Sequence, residues 1–184
     1  MSRLVAALLA ALLAAGPAVA QTPAPAVDPG TKLAFPATLG GATLTRSIAT
    51  PTGSATYQYA ANGMEITIDV YGGDRRVPNG SSHPTIINQF SEEMESLRQQ
   101  SQGAGLTGFE KPAVPSACSY GNVNFRCSLF SAASPTAGRI FGKILLMGYR
   151  ERFLKIVIQW AQKSGQTAAE ADKVLNAFVP ALVH

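Results

Sequence analysis

Residues 139–149 and 152–161 read as two strands joined at Arg150-Glu151, and both are apolar on both faces. With a two-residue loop, Met147 faces Leu154 and Leu145 faces Ile156. On the reverse side Ile144 meets Val157 and Leu146 meets Lys155. A strand pair of this kind needs cover on both sides, and two helix signals in the chain can supply it. Of the 184 residues, 46% are hydrophobic and 14% charged, which excludes a disordered polyelectrolyte or a coiled coil. The length allows one ordinary domain.

The sharpest local signal is Asn62-Gly63, set between two alternating runs as in a type I′ hairpin. A two-residue loop pairs Tyr59 with Ile66, Tyr57 with Ile68 and Ala55 with Val70 on one face. The other face pairs Gln58 with Thr67 and Thr56 with Asp69, so a slip of one residue would mix the two sets. Residues 43–49, with Leu44 and Ile48, suggest a third strand beside this hairpin. After a loop over residues 72–82, Ser82 is the expected N-cap, with Pro84 in the first helical turn. Ile87, Phe90, Met94 and Leu97 then fall at helical spacing. Further strands are expected over residues 123–133 and, shorter, 106–113. Thr167-Ala168-Ala169-Glu170 is a capping-box pattern ahead of Ala171, Val174, Leu175, Phe178 and Leu182, with Pro180 ending or bending the helix.

The expected fold is therefore α+β, an antiparallel sheet of about six or seven strands flanked by two main helices. That element order resembles the PsbP/Mog1-like α/β/α sandwich, a resemblance that implies a sheet between helices and fixes no activity. The opening Phe35-Pro36-Ala37-Thr38-Leu39-Gly40-Gly41, with Tyr57 and residues 66–71, resembles a group of uncharacterised exported bacterial proteins. It brings no catalytic residue with it.

Arg3, an apolar run over residues 4–15, the Gly16-Pro17 break and Ala18-Val19-Ala20 before Gln21 form a Sec-type signal-peptide pattern. The run is too short to span a bilayer. The expected organisation is a signal peptide over residues 1–20 cleaved after Ala20, a disordered Pro/Ala-rich linker over 21–32, and one domain over 33–184. The mature chain is expected to be periplasmic or secreted, without a transmembrane segment. Its formal net charge of +4 falls by one with the loss of Arg3, far from the footprint of a nucleic-acid binder.

Cys118 and Cys127 are symmetric about Asn122-Val123, so a turn there would set them opposite each other on neighbouring strands. In an oxidising compartment they are expected to form a structural disulfide. Ser81, Ser82 and His83, with Asp69 and Asp74 nearby, are the ingredients of a hydrolase alternative whose site assembles only in the fold. No G-x-S-x-G elbow supports it. Ser82 reads as a cap, His83 as an exposed first-turn residue, and His184 is the last residue of the sequence. Ligand spacings for a metal and loops for a phosphate cofactor are not found, so no metal or cofactor is expected.

Asp74, Arg75 and Arg76 lie in a long Gly-rich loop able to wrap an anion, a candidate recognition loop. Arg139, Lys143, Arg150, Arg152 and Lys155, followed by Lys163 and opposed by Glu151 alone, suggest a basic surface for an anionic component. The functional expectation is an exported, non-catalytic envelope domain that binds a protein or another envelope component. The alternative is a hydrolase near Ser81 and His83.

Overall fold

The computed structural model describes residues 24–51, 53–72 and 76–183. The signal-peptide pattern, Asp74, Arg75 and His184 lie outside the described residues. In chain order the elements are β1 (Ala26–Val27), β2 (Ala34–Phe35), β3 (Thr38–Leu39), β4 (Ala42–Ala49), β5 (Ala55–Ala61) and β6 (Met64–Tyr71). Helix α1 (Pro84–Gly103) follows, then β7 (Thr107–Glu110), β8 (Ser116–Tyr120), β9 (Val123–Ser134), β10 (Gly138–Tyr149) and β11 (Arg152–Ala161). A 3-10 turn (Gln162–Ser164) leads into α2 (Ala168–Leu182).

Nine strands form one antiparallel sheet in the order β3-β4-β5-β6-β11-β10-β9-β7, with β8 also beside β9. The class is α+β, with more strands than the six or seven expected. The surplus is short: β3 has two residues and β8 five, too few for an alternation to stand out, whereas β7 lies inside the strand expected over residues 106–113.

Register follows the apolar pattern. Across β5 and β6, Tyr59 faces Ile66, Tyr57 faces Ile68 and Ala55 faces Val70, with Asn62 (φ 49°) and Gly63 (φ 74°) at the turn. Across β10 and β11, Met147 faces Leu154 and Ile144 faces Val157. Arg150 (φ 47°) and Glu151 (φ 65°) take the same left-handed turn without a glycine.

The two sheet faces feed two separate cores. Leu145, Met147, Leu154 and Ile156 pack with Val174, Leu175 and Phe178 of α2. Ile144, Leu146, Phe153 and Val157 pack with Ile86, Phe90, Met94 and Leu97 of α1. Strands apolar on both faces are thus covered on both, as their composition requires.

The entry to α1 differs from expectation. Its N-cap is His83, not Ser82: the backbone is extended there (φ −66°, ψ 142°), and Nδ1 accepts a hydrogen bond from the Thr85 N–H. Pro84 supplies the first helical position, where its missing N–H costs nothing. The core position of the first turn is Ile86, with Ile87 half-buried at the edge of the stripe. In α2, Thr167 Oγ1 accepts from Glu170 N, and the helix continues through Pro180 to Leu182.

Two segments read as loose are tied down. Within the stretch expected as a disordered linker, Asp28 is only 1% exposed and accepts hydrogen bonds from Thr31 N (2.6 Å) and Thr31 Oγ1 (2.7 Å). This turn joins β1 to β2, where Phe35 stacks on Tyr57 at 3.5 Å. Composition hid that turn behind Pro and Ala. The second half of the 72–82 loop is strapped to the sheet. Val77 N donates to Glu151 O (3.3 Å), and Gly80 and Gly148 exchange two hydrogen bonds (2.9 and 2.8 Å). Gly148 is required there, because a Cβ would lie 1.8 Å from Pro78 O.

A disulfide joins Cys118 to Cys127 across β8 and β9, with Cα atoms 6.1 Å apart. The two are diagonal rather than directly opposite: Cys118 faces Phe125 and Cys127 faces Ser116. The turn falls at Gly121 (φ 60°) and Asn122, one residue earlier than the symmetric reading placed it. Among the described residues no helix is long and apolar enough to cross a membrane.

Candidate functional site

A helix of 15 residues such as α2 is about 22 Å long, whereas the sheet, eight strands across because β7 and β8 share the outer edge of β9, spans about 34 Å. Part of the sheet must stay uncovered. Gly165 (φ 72°) closes the 3-10 turn after β11, and Thr167 starts α2 only after it, leaving open the corner built by β7, β9, β10 and β11.

That corner is a cleft of about 540 Å³. Its floor is Leu129, Ser131, Phe141 and Trp160, and its walls are residues 110–112 and 166–168. The Phe141 and Trp160 rings are roughly parallel, 24° apart in plane, with centroids at 6.1 Å. Leu129 is 43% exposed, one of few large apolar side chains left in the open. At the rim Arg139 Nε donates to Ser131 Oγ (3.0 Å), while its guanidinium is ion-paired with Glu110. The cleft is apolar below and polar, with its charges matched, at this part of the rim. Such a surface offers apolar contact and amide-type hydrogen bonds.

Under α1 lies a different arrangement. Lys155 Nζ stands 2.9 Å from both Asp69 Oδ2 and Glu93 Oε2. Tyr71 donates its hydroxyl to Glu93 (2.6 Å), Gln89 donates to the same carboxylate (3.0 Å), and Thr56 donates to Asp69 (2.6 Å). The Lys155, Glu93 and Asp69 side chains are only 15%, 12% and 23% exposed. Burial alone would lower the Lys155 pKa, but Asp69 and Glu93 outweigh it and hold the ammonium above the ordinary lysine range. Burial, reinforced by Glu93, raises the Tyr71 phenol well beyond its usual value, so it remains a donor. Every polar group named here has a partner, and the network pins α1 to the sheet.

The basic residues do not form one surface. Strand alternation sends Arg139, Lys143 and Arg152 to the α2 face and Lys155 to the α1 face. Lys143 pairs with Asp172 of α2 (2.7 Å) and lies over the Tyr120 ring at 5.4 Å. Arg150 donates to Thr31 O (2.7 Å), and Lys163 to Thr136 O (2.7 Å). Arg152 lies against Gly30 and Gly53, with Nη1 buried and unpartnered among the described residues. Of the recognition loop, Arg76 is exposed and 3.5 Å from Glu151. His83 is exposed, and its ring contacts are Thr85 N (3.2 Å) and Thr85 Oγ1 (3.1 Å). It is not brought into hydrogen-bond contact with Ser81, Ser82 or a carboxylate among the described residues. No cluster of three or more His, Cys, Asp or Glu able to hold a metal occurs among them either.

From the sequence alone, Leu129 and Phe141 are only members of apolar strands. The signal available in the sequence was arithmetic: two helices cannot roof a sheet this wide. Compared with known protein families and with curated proteins, the chain matches none.

Proposed function

We propose that this is an exported, non-catalytic binding domain of the bacterial cell envelope, built as a PsbP/Mog1-like sandwich, which holds a protein or another envelope component in the cleft at the start of α2. The observation that carries this reading is the exposed Leu129 beside Phe141 and Trp160, in a cleft of ligand-binding size that no helix covers. The signal-peptide pattern and the Cys118–Cys127 disulfide support an oxidising, exported setting. The hydrolase alternative lacks comparable support, because the His83 ring serves as the α1 cap.

The test is affinity capture from envelope extract with the mature chain and its Leu129→Glu variant, each at low and high salt. A partner held by the parent chain at both salt concentrations, and lost by the variant, is the expected result. Equal recovery by parent and variant removes the cleft from the proposal. Loss at high salt assigns recognition to surface charge instead.

A further inference from the structure

The wall of the cleft contains an interrupted strand edge. On the outer side of β9, β8 pairs residues 123–127 and β7 pairs Ser131 and Ala133. Between them, the outer side of residues 128–130 has no strand partner among the described residues. The intervening chain, residues 111–115, leaves the sheet here. Pro112 and Pro115 have no N–H to give to a ladder, and Val114 is 75% exposed. Leu129 has the same strand parity as Cys127 and Ser131, the residues that face Ser116 and Glu110. Ladder alternation therefore turns the Leu129 N–H and C=O toward the gap and its side chain onto the cleft floor. Ser128 Oγ donates to the Leu129 carbonyl (3.0 Å), which occupies one of its two lone pairs.

Resting on the cleft reading above, we propose that the occupant is an extended peptide segment of another protein. One of its residues pairs its backbone with Leu129, and a bulky apolar side chain settles on Leu129, Phe141 and Trp160. A lipid chain or an apolar small molecule would use the floor and ignore the strand edge. At the rim Arg139 is matched by Glu110 and tied to Ser131, while Lys111 is the cation in the cleft lining. Affinity comes from main-chain hydrogen bonds and selectivity from one apolar pocket, the division of labour seen in strand addition.

The experiment is a titration of the ¹⁵N-labelled mature protein, followed by amide and indole shifts. The probes are acetyl-Ser-Ala-Phe-Ala-Ser-amide, the same peptide with Phe replaced by Ala, the same peptide N-methylated at its central residues, and dodecanoate. The first probe is expected to shift Leu129, Ser131, Phe141 and the Trp160 indole. Replacing Phe, or N-methylating the backbone, is expected to weaken binding at least tenfold. Leu129→Glu, at a site open enough to keep the fold, is expected to abolish it. If the N-methylated peptide binds as well as its parent, or only dodecanoate binds, the strand proposal fails while the cleft reading stands. If no probe shifts these residues, both fail.

Discussion

Replacing Lys155 with Met tests how α1 is held to the sheet. Met nearly matches the lysine stem in volume, so the change is mainly the loss of one positive charge. The carboxylates of Asp69 and Glu93 each stand 2.9 Å from Nζ. Their nearest oxygens are therefore no more than about 6 Å apart, and at an effective dielectric of about 20 two such charges repel by about 3 kcal/mol. Removing one partner of a buried ion pair costs about 3–5 kcal/mol. Asp69 is nearly a quarter exposed and both carboxylates keep neutral donors, so the lower end applies. With a urea m-value of about 2 kcal/mol/M, the unfolding midpoint at pH 7 drops by about 1.5 M.

Adding Asp69→Asn and Glu93→Gln to Lys155→Met recovers most of that loss. On the alkaline side the sign is fixed by the raised Lys155 pKa. Its contribution is complete below the ordinary lysine range and is lost as pH rises through the higher folded-state value. A midpoint shift below about 0.3 M, within the ordinary surface range, refutes the reasoning.

Cys118→Ala with Cys127→Ala opens a ring of about ten residues and is expected to cost about 2.7 kcal/mol, read by urea unfolding against the oxidised parent; intact mass of the oxidised protein should show no free thiol. Gly148→Ala drives a methyl group into Pro78 O and is expected to cost more than about 2 kcal/mol, with faster hydrogen exchange at Gly80 N–H. His83→Ala removes the α1 cap and should lower stability by about 1 kcal/mol, whereas His83→Asn keeps an accepting cap and should restore it. A thermal melt of both variants checks this.

The parts of the fold legible in the sequence are those where alternation and turn chemistry agree. Asn62-Gly63 and the paired apolar residues around it fix β5 against β6 to the residue. The same holds for Arg150-Glu151 between β10 and β11. Thr167 and Glu170 announce α2 because a capping box leaves a spacing of three. The start of α1 was blurred because Ser82 and His83 are adjacent and both can cap, and only backbone geometry chooses between them. The symmetric reading of Cys118 and Cys127 is two residues out of register, because the turn sits one residue earlier, at Gly121 and Asn122. The basic residues look clustered along the chain, but the pleat divides neighbours between two faces. The cleft was invisible for another reason: it arises where cover is missing, and no local pattern encodes a missing roof.

Among the described residues, the junction of β6 with β11 is where the two meanders of the main sheet, β4-β5-β6 and β9-β10-β11, are sewn together. Each meander is assembled from chain-adjacent hairpins, whereas the junction brings Asp69 against Lys155 across most of the domain. That stitch therefore closes the longest loop of any strand pairing in the main sheet and costs the most chain entropy. The flanking Ile66, Ile68 and Val70 would tolerate sliding by two residues against Leu154, Ile156 and Ile158, since apolar faces apolar either way. A slide of two in either direction would set Lys155 against Thr67 or Tyr71 instead of Asp69, so a buried charge acts as the alignment mark for joining the halves.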